Sequence, residues 1–232
     1  EVAERLFANI LDRGVLSWPM FQHVHSPMAV FNGDLLLAAP TPDGGIRAML
    51  GDFTGHGLVA SIGTVPVAEV FYGMTEKGFS ITELVTEINA KVSHLLPMGR
   101  FLAATIMQLD PSHRRLTVWN GGVPDVLIFN AETKIIEARA CSRHLPLGVL
   151  SAEQLDTQCE RFDVNRGDRI FACSDGLLEA RSRSGEFFGE ARLEACFESA
   201  SAPCLFNAVE RAVTAHRDGQ AQEDDLTFVE VQ

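Results

Sequence analysis

Leu50-Gly51-Asp52-Phe53-Thr54-Gly55-His56-Gly57 marks the point where one sequence pattern stops and another begins. Upstream, over residues 21–53, short apolar runs are punctuated by Asn32-Gly33 and by residues 40–45, with Asp43-Gly44 at a hairpin turn; this is the pattern of strands joined by turns. Downstream, two helices are predicted, one over residues 58–74 and one opening at Ser80, where Ser80 and Glu83 have the spacing of a capping box. In the second, Ile81, Leu84, Val85, Ile88, Val92, Leu95 and Leu96 keep helical spacing until Pro97 and Gly99 stop it. The quoted segment therefore joins a strand end to a helix start through an acid flanked by glycines.

Strand signals return over residues 102–109, 116–120, 126–129 and 170–173. Helices are predicted over 190–198 and 203–216, and a last strand over 226–231. Strands, two helices, strands, two helices and a strand fit an α+β fold of two stacked antiparallel sheets flanked by pairs of helices better than a βαβ sheet. Ala3, Leu6, Phe7, Ile10 and Leu11 form an apolar stripe on an N-terminal helix that Gly14 ends. We read residues 1–14 as a linker helix and 15–232 as one domain. The stripe either faces the core or pairs with another copy in a homodimer. A chain that begins at Glu1 and looks helical from its first residue reads as a piece of a longer one.

Nineteen basic against thirty-one acidic side chains leave a formal charge of −12, which argues against a nucleic-acid partner. No apolar run reaches the ~18 residues that span a bilayer. The five cysteines form no C-x-x-C pair and read as reduced thiols of a cytoplasmic protein.

The informative residues are Asp34, Asp52, Asp175 and Asp224, each beside a glycine or a second acid at the end of an apolar strand. Singly, such dipeptides are turns, and Gly167-Asp168 and Asp218-Gly219 stay in that class. As a set they differ, because converging carboxylates repel one another unless a cation joins them. Oxygen-only ligation favours Mg²⁺ or Mn²⁺ over zinc. Two such ions about 3.5 to 4 Å apart can lower the pKa of a bridging water and neutralise a phosphoryl group.

These segments resemble the PPM family of metal-dependent protein phosphatases, in its SpoIIE-like bacterial branch related to protein phosphatase 2C. The resemblance rests on Gly33-Asp34, Gly51-Asp52-Phe53-Thr54-Gly55-His56-Gly57, Phe101-Leu102-Ala103-Ala104-Thr105, Leu145-Pro146-Leu147-Gly148, Ser174-Asp175-Gly176, Phe188-Gly189 and Asp224-Asp225-Leu226-Thr227. It implies that Asp52 bridges two metal ions, that the Phe53 carbonyl helps hold one of them, and that Asp175 and Asp224 hold the other. Asp34 would bind the same ion as Phe53 through water. It also implies attack on phosphate by metal-activated water without a phosphoenzyme, and the sandwich fold read from the element order. The chain departs from the branch at Asn120-Gly121-Gly122-Val123, where Asn-Ala-Gly-His is usual, and at Leu35, where an aromatic is customary.

His56 would either act as a general acid or fix the loop that presents Asp52 and Phe53. His23 and His25, alternating on one strand without a third ligand, read as surface residues. Thr227 is placed to hydrogen-bond a ligand carboxylate. A cysteine phosphatase is excluded, since six residues after the five cysteines stand Leu147, Asn165, Glu179, Ala202 and Glu210 rather than Arg. The expected activity is that of a protein serine/threonine phosphatase. The resemblance implies a phosphorylated anti-sigma-factor antagonist as substrate and an upstream receiver or sensor domain, as in a response regulator of two-component signalling. The alternatives are a non-enzymatic adaptor of the same fold and a phosphatase of small phosphoesters.

Overall fold

Side chains alternate across a strand, so an apolar strand covered on both faces contributes to two separate layers. That rule organises the computed structural model of the chain, which describes residues 10–28, 33–55, 58–97, 99–199 and 204–232. One antiparallel sheet runs in the order β1 (Phe21–Ser26), β10 (Leu226–Val231), β9 (Arg169–Cys173), β6 (Val126–Asn130), β7 (Ile135–Ala140). The other runs β2 (Asp34–Pro40), β3 (Ile46–Phe53), β4 (Leu102–Leu109), β5 (Arg115–Gly121), β8 (Glu160–Asp163). Leu36, Ala38, Leu50, Met107 and Val118 of the second sheet meet Ile128, Ala172, Val229 and Val231 of the first in the layer between the sheets.

The outward-facing residues are covered by helices. Leu35, Leu37, Met49 and Ile106 pack under α1 (Leu58–Glu76) and α2 (Ile81–Leu95). Phe171, Cys173, Leu226 and Phe228 pack under α3 (Asp175–Leu178), α4 (Gly189–Ser199) and α5 (Leu205–Arg217). The predicted sandwich is thus observed, with β7, β8 and α3 added to the elements read from sequence. The capping box of α2 is formed: the Glu83 N–H donates to Ser80 Oγ at 3.3 Å and the Ser80 N–H to Glu83 Oε2 at 2.8 Å.

Residues 1–9 of the expected linker helix, the Asn32 of the expected Asn32-Gly33 turn and the Pro203 start of the last helix lie outside the described residues. Ile10 and Leu11 are helical and pack against the α1–α2 layer. Tyr72 Oη of α1 donates to the Leu11 carbonyl at 2.6 Å, and the Arg13 guanidinium lies 4.1 Å over the Tyr72 ring.

Leu84 is fully buried whereas Ile135 is 57 % exposed. Leu84→Ala should lower the unfolding free energy by about 2–5 kcal/mol in chemical denaturation, and Ile135→Ala should change it by less than about 0.5 kcal/mol.

Candidate metal centre

The strand parity that sorts the core also sorts the acids. Asp34 and Asp52 share the parity of Leu36, Leu50 and the other residues between the sheets, and they are register partners across β2 and β3. The Phe53 N–H donates to the Gly33 carbonyl at 3.1 Å. The next rung, Asp34 with Asp52, is therefore a non-hydrogen-bonded pair, the kind in which side chains stand closest, about 4.5–5.5 Å between Cβ atoms. Like charges placed this way repel.

Across the gap, Asp175 opens α3 directly after β9, and Asp224-Asp225 immediately precede β10. Gly176 brings these two segments together: a Cβ there would overlap the Asp225 carbonyl, so only glycine permits the approach. Asp175 and Asp224 are exposed, while Asp34 is 1 % exposed and Asp225 6 %. The four sequence-predicted acids thus come from both sheets at one end of the sandwich, two beneath and two at the mouth. His56 lies outside the described residues.

Burial, repulsion and hydrogen bonding set the electrostatics. The Asp34 carboxyl is pushed up to about 7, first by burial, with the Ser174 and Thr227 hydroxyls bonding to it and opposing the rise. Asp52 is pushed up to about 8 by burial and then by Asp34, Asp175, Asp224 and Asp225. Asp175, exposed along one side, is raised first by desolvation of its inner side and then by Asp224 and Glu179. Among the described residues no Lys, Arg or His forms an ion pair with Asp34, Asp52, Asp175 or Asp224. Asp34 Oδ2 is buried with no hydrogen-bond partner.

An orphaned carboxylate oxygen in an all-oxygen, cation-free cluster fits a hard divalent ion. Among the described residues no three acidic, His or Cys side chains converge into a ready-made shell.

Two supporting residues carry roles that the sequence reading did not assign. Asp225 accepts from the Met28 N–H at 2.7 Å and the Gly33 N–H at 2.8 Å, tying the start of β10 to the segment that delivers Asp34. The signal was available: of two adjacent acids at a strand start, alternation lets only one face inward. His25 was read as a surface residue. It is exposed, and its ring also reaches back to the core, with Nδ1 3.0 Å from Thr227 Oγ1 and desolvation of that inner edge holding its pKa below the ordinary histidine value against the opposing pull of Asp225. His23 is exposed, as expected. Thr227 stands beside Asp34, and its hydroxyl opposes the rise of the Asp34 carboxyl. The loop after Asp52 is pinned by Arg100, whose Nη1 donates to the Thr54 carbonyl at 2.9 Å beside Gly55, itself at φ 86°.

Two antiparallel sheets with helices outside, and carboxylates facing one another across one end of the gap, define a PP2C-type phosphatase domain. Residues 42–232 match the family described as Stage II sporulation protein E (SpoIIE), and the chain belongs to that family of protein serine/threonine phosphatases. Protein IcfG of Synechocystis sp. is 29% identical over 136 residues, 58% of this chain and 21% of that protein, so the chain spans about a fifth of the length of this curated relative. The SiaA-PP2C domain of Pseudomonas aeruginosa superposes with a TM-score of 0.83 at 17% identity, covering 100% of this chain and 93% of that one. RsbX, solved in complex with magnesium, superposes at 0.66 with 12% identity over 90% of this chain and 92% of that one.

Raised carboxyl pKa values set a pH dependence. Between the unfolded value of 3.8 and the folded values of about 7 and 8, Asp34 and Asp52 hold protons that the unfolded chain has released. Stability is then lost as pH rises through that window. In EDTA the melting temperature should fall from pH 5 to pH 8, and Asp34→Asn should flatten the fall. With Mn²⁺ present the stabilisation should instead grow with pH, because the ion requires ionised carboxylates. Calorimetry in the two buffers checks both signs.

Proposed function

We propose that the domain is a Mn²⁺- or Mg²⁺-dependent phosphatase acting on phosphoserine or phosphothreonine of a regulatory partner, an anti-sigma-factor antagonist. The observation that carries this reading is the set of four carboxylates from two sheets that, among the described residues, form no ion pair, with one buried oxygen unpartnered. Asp52, the Phe53 carbonyl and, through water, Asp34 would hold one ion, and Asp52, Asp175 and Asp224 the second. Bound there, two divalent ions supply charge neutralisation of the phosphoryl group and a lowered pKa for water.

The chain's own residues do the remainder. The Ser174 and Thr227 hydroxyls beside Asp34 favour its ionised form, and Asp225 fixes the loop that carries it. Asp175 and Asp224, exposed at the mouth, leave the site open to a phosphate carried on another protein. A cavity of about 150 Å³ beside Asp224, lined by Arg181, Phe187, Arg217 and Glu223, is too small to enclose a sizeable metabolite but accepts a side chain flanking a phosphorylated residue.

The same proposal includes a cytoplasmic setting, an upstream receiver or sensor domain, and pairing of two copies through the helix over residues 1–14. For the cytoplasmic setting stand five free thiols, and among the described residues no helix is long and apolar enough to cross a membrane; for pairing stand Ala3, Leu6 and Phe7 of the sequence stripe, since Ile10 and Leu11 pack on the chain's own core.

Hydrolysis of a phosphoserine peptide and of an aryl phosphate should depend on Mn²⁺ or Mg²⁺. Asp52→Asn and Asp175→Asn should each cut it at least about a hundredfold, the loss of several kcal/mol of charge stabilisation. No turnover with either metal from folded protein would instead indicate the adaptor. Asp225→Ala, which touches no substrate, should weaken Mn²⁺ binding about 10–100-fold in titration calorimetry by freeing the Asp34 segment.

A further inference from the structure

Asn89 interrupts the apolar face of α2. Its neighbours there are Leu84, Val85, Ile88 and Val92, yet Asn89 is itself 2 % exposed. A buried amide is costly unless both of its ends are bonded. Both are: Nδ2 donates to the Leu150 carbonyl at 3.1 Å, and Oδ1 accepts from the Gly148 N–H at 2.8 Å. Two bonds from one planar amide fix a backbone segment in position and in orientation. Gly148, at φ 91°, passes so near α2 that a Cβ would overlap Val92, so the segment lies directly on the helix.

The segment that Asn89 holds completes the sheet beside the metal centre. β5 ends at Gly121, opposite Ala104, two residues short of the start of β4 at Leu102. Leu147 takes the place of β5 there: its N–H donates to the Leu102 carbonyl at 2.8 Å, and its carbonyl accepts from the Leu102 N–H at 2.9 Å. On the other side of β4, Leu102 is the register partner of Phe53, and Ala103 is that of Asp52. Pro146 backs Ala103, since Gly122 is wedged between the two with no room for a Cβ. Residues 146–148 thus support from behind the two β3 positions that would hold the ions. A strand end paired on one side opens more readily than one paired on both.

We propose that Asn89 is a positioning residue of the metal centre, fastening residues 147–150 to α2 so that the start of β4 stays seated against Asp52 and Phe53. Asn89 touches neither substrate nor the acids and acts through Leu147 and Leu102. This role rests on the metal reading proposed above.

An Asn89→Leu variant is compared with Leu84→Ala, a core truncation in the same helix that removes no bond to the segment. Both lose stability, but Asn89→Leu alone should lose hold of the metal. In EDTA, amide hydrogen exchange at Leu102 and Leu147, corrected for global stability, should quicken at least about tenfold in Asn89→Leu and not in Leu84→Ala. In titration calorimetry of the 232-residue chain, Mn²⁺ binding should weaken about 3–30-fold in Asn89→Leu and stay within about twofold of wild type in Leu84→Ala. Excess Mn²⁺ should return kcat for the phosphoserine peptide to near the wild-type value, with KM unchanged. If Asn89→Leu does not fold, Asn89→Asp keeps an acceptor for the Gly148 N–H, loses the donor to Leu150, and should shift both readouts the same way by less. Unchanged exchange at Leu102, Mn²⁺ affinity equal to wild type or lowered as much by Leu84→Ala, or a kcat deficit that excess Mn²⁺ leaves in place overturns the role of Asn89 alone. A wild-type chain that binds no Mn²⁺ overturns the metal reading itself, and the role of Asn89 with it.

Discussion

The repulsion between Asp34 and Asp52 is the constraint on which the active end depends. Two carboxyls on a non-hydrogen-bonded rung, one of them almost fully buried, are held together by the ladder between β2 and β3 rather than by any attraction of their own. The rest of that end is arranged to keep them there. Asp225 ties the Asp34 segment to the opposite sheet, Ser174 and Thr227 give one carboxyl its donors, and Gly176 lets the Asp175 turn close onto the Asp224 loop. The core between the sheets contributes the rigidity that maintains this unfavourable arrangement until a cation relieves it.

Much of this was legible in the sequence because it follows from two periods. The strand over 102–109 and the last strand over 226–231 have the predicted limits, and α2 begins at the predicted cap. The strands that escaped are sheet edges. β7 carries a bulge, with Ile128 opposite Ala138 and Phe129 opposite Ile136, so its apolar residues do not alternate. β8 is Glu160-Arg161-Phe162-Asp163, a strand with one apolar residue that no hydrophobic pattern would reveal. The acids were legible because their neighbours are glycines and acids. The inward role of Asp225 and the Thr227 contact of His25 depend on which face a residue takes at a strand end, and on a partner about two hundred positions away.

Charge is distributed along the strands rather than evenly. Acids gather where β2, β3, β9 and β10 meet at one end, and unpaired arginines where β4 and β9 meet at the other. Glu230 and Arg169 lie buried near the basic end, and burial pushes the Glu230 carboxyl up to about 7 even with the guanidinium beside it. The net charge of −12 therefore understates how differently the two ends present themselves to a charged molecule.

The polar character of β8 reaches beyond its invisibility to pattern reading. An outermost strand offers a row of open backbone groups to any extended peptide, including another copy of itself. In β8 that row is four residues long, three of them charged, so docking a foreign strand there would crowd ionic side chains against the newcomer and bury little in return. That border of the sheet thus resists extension by a foreign strand, whereas the opposite border, β2, is apolar along most of its length.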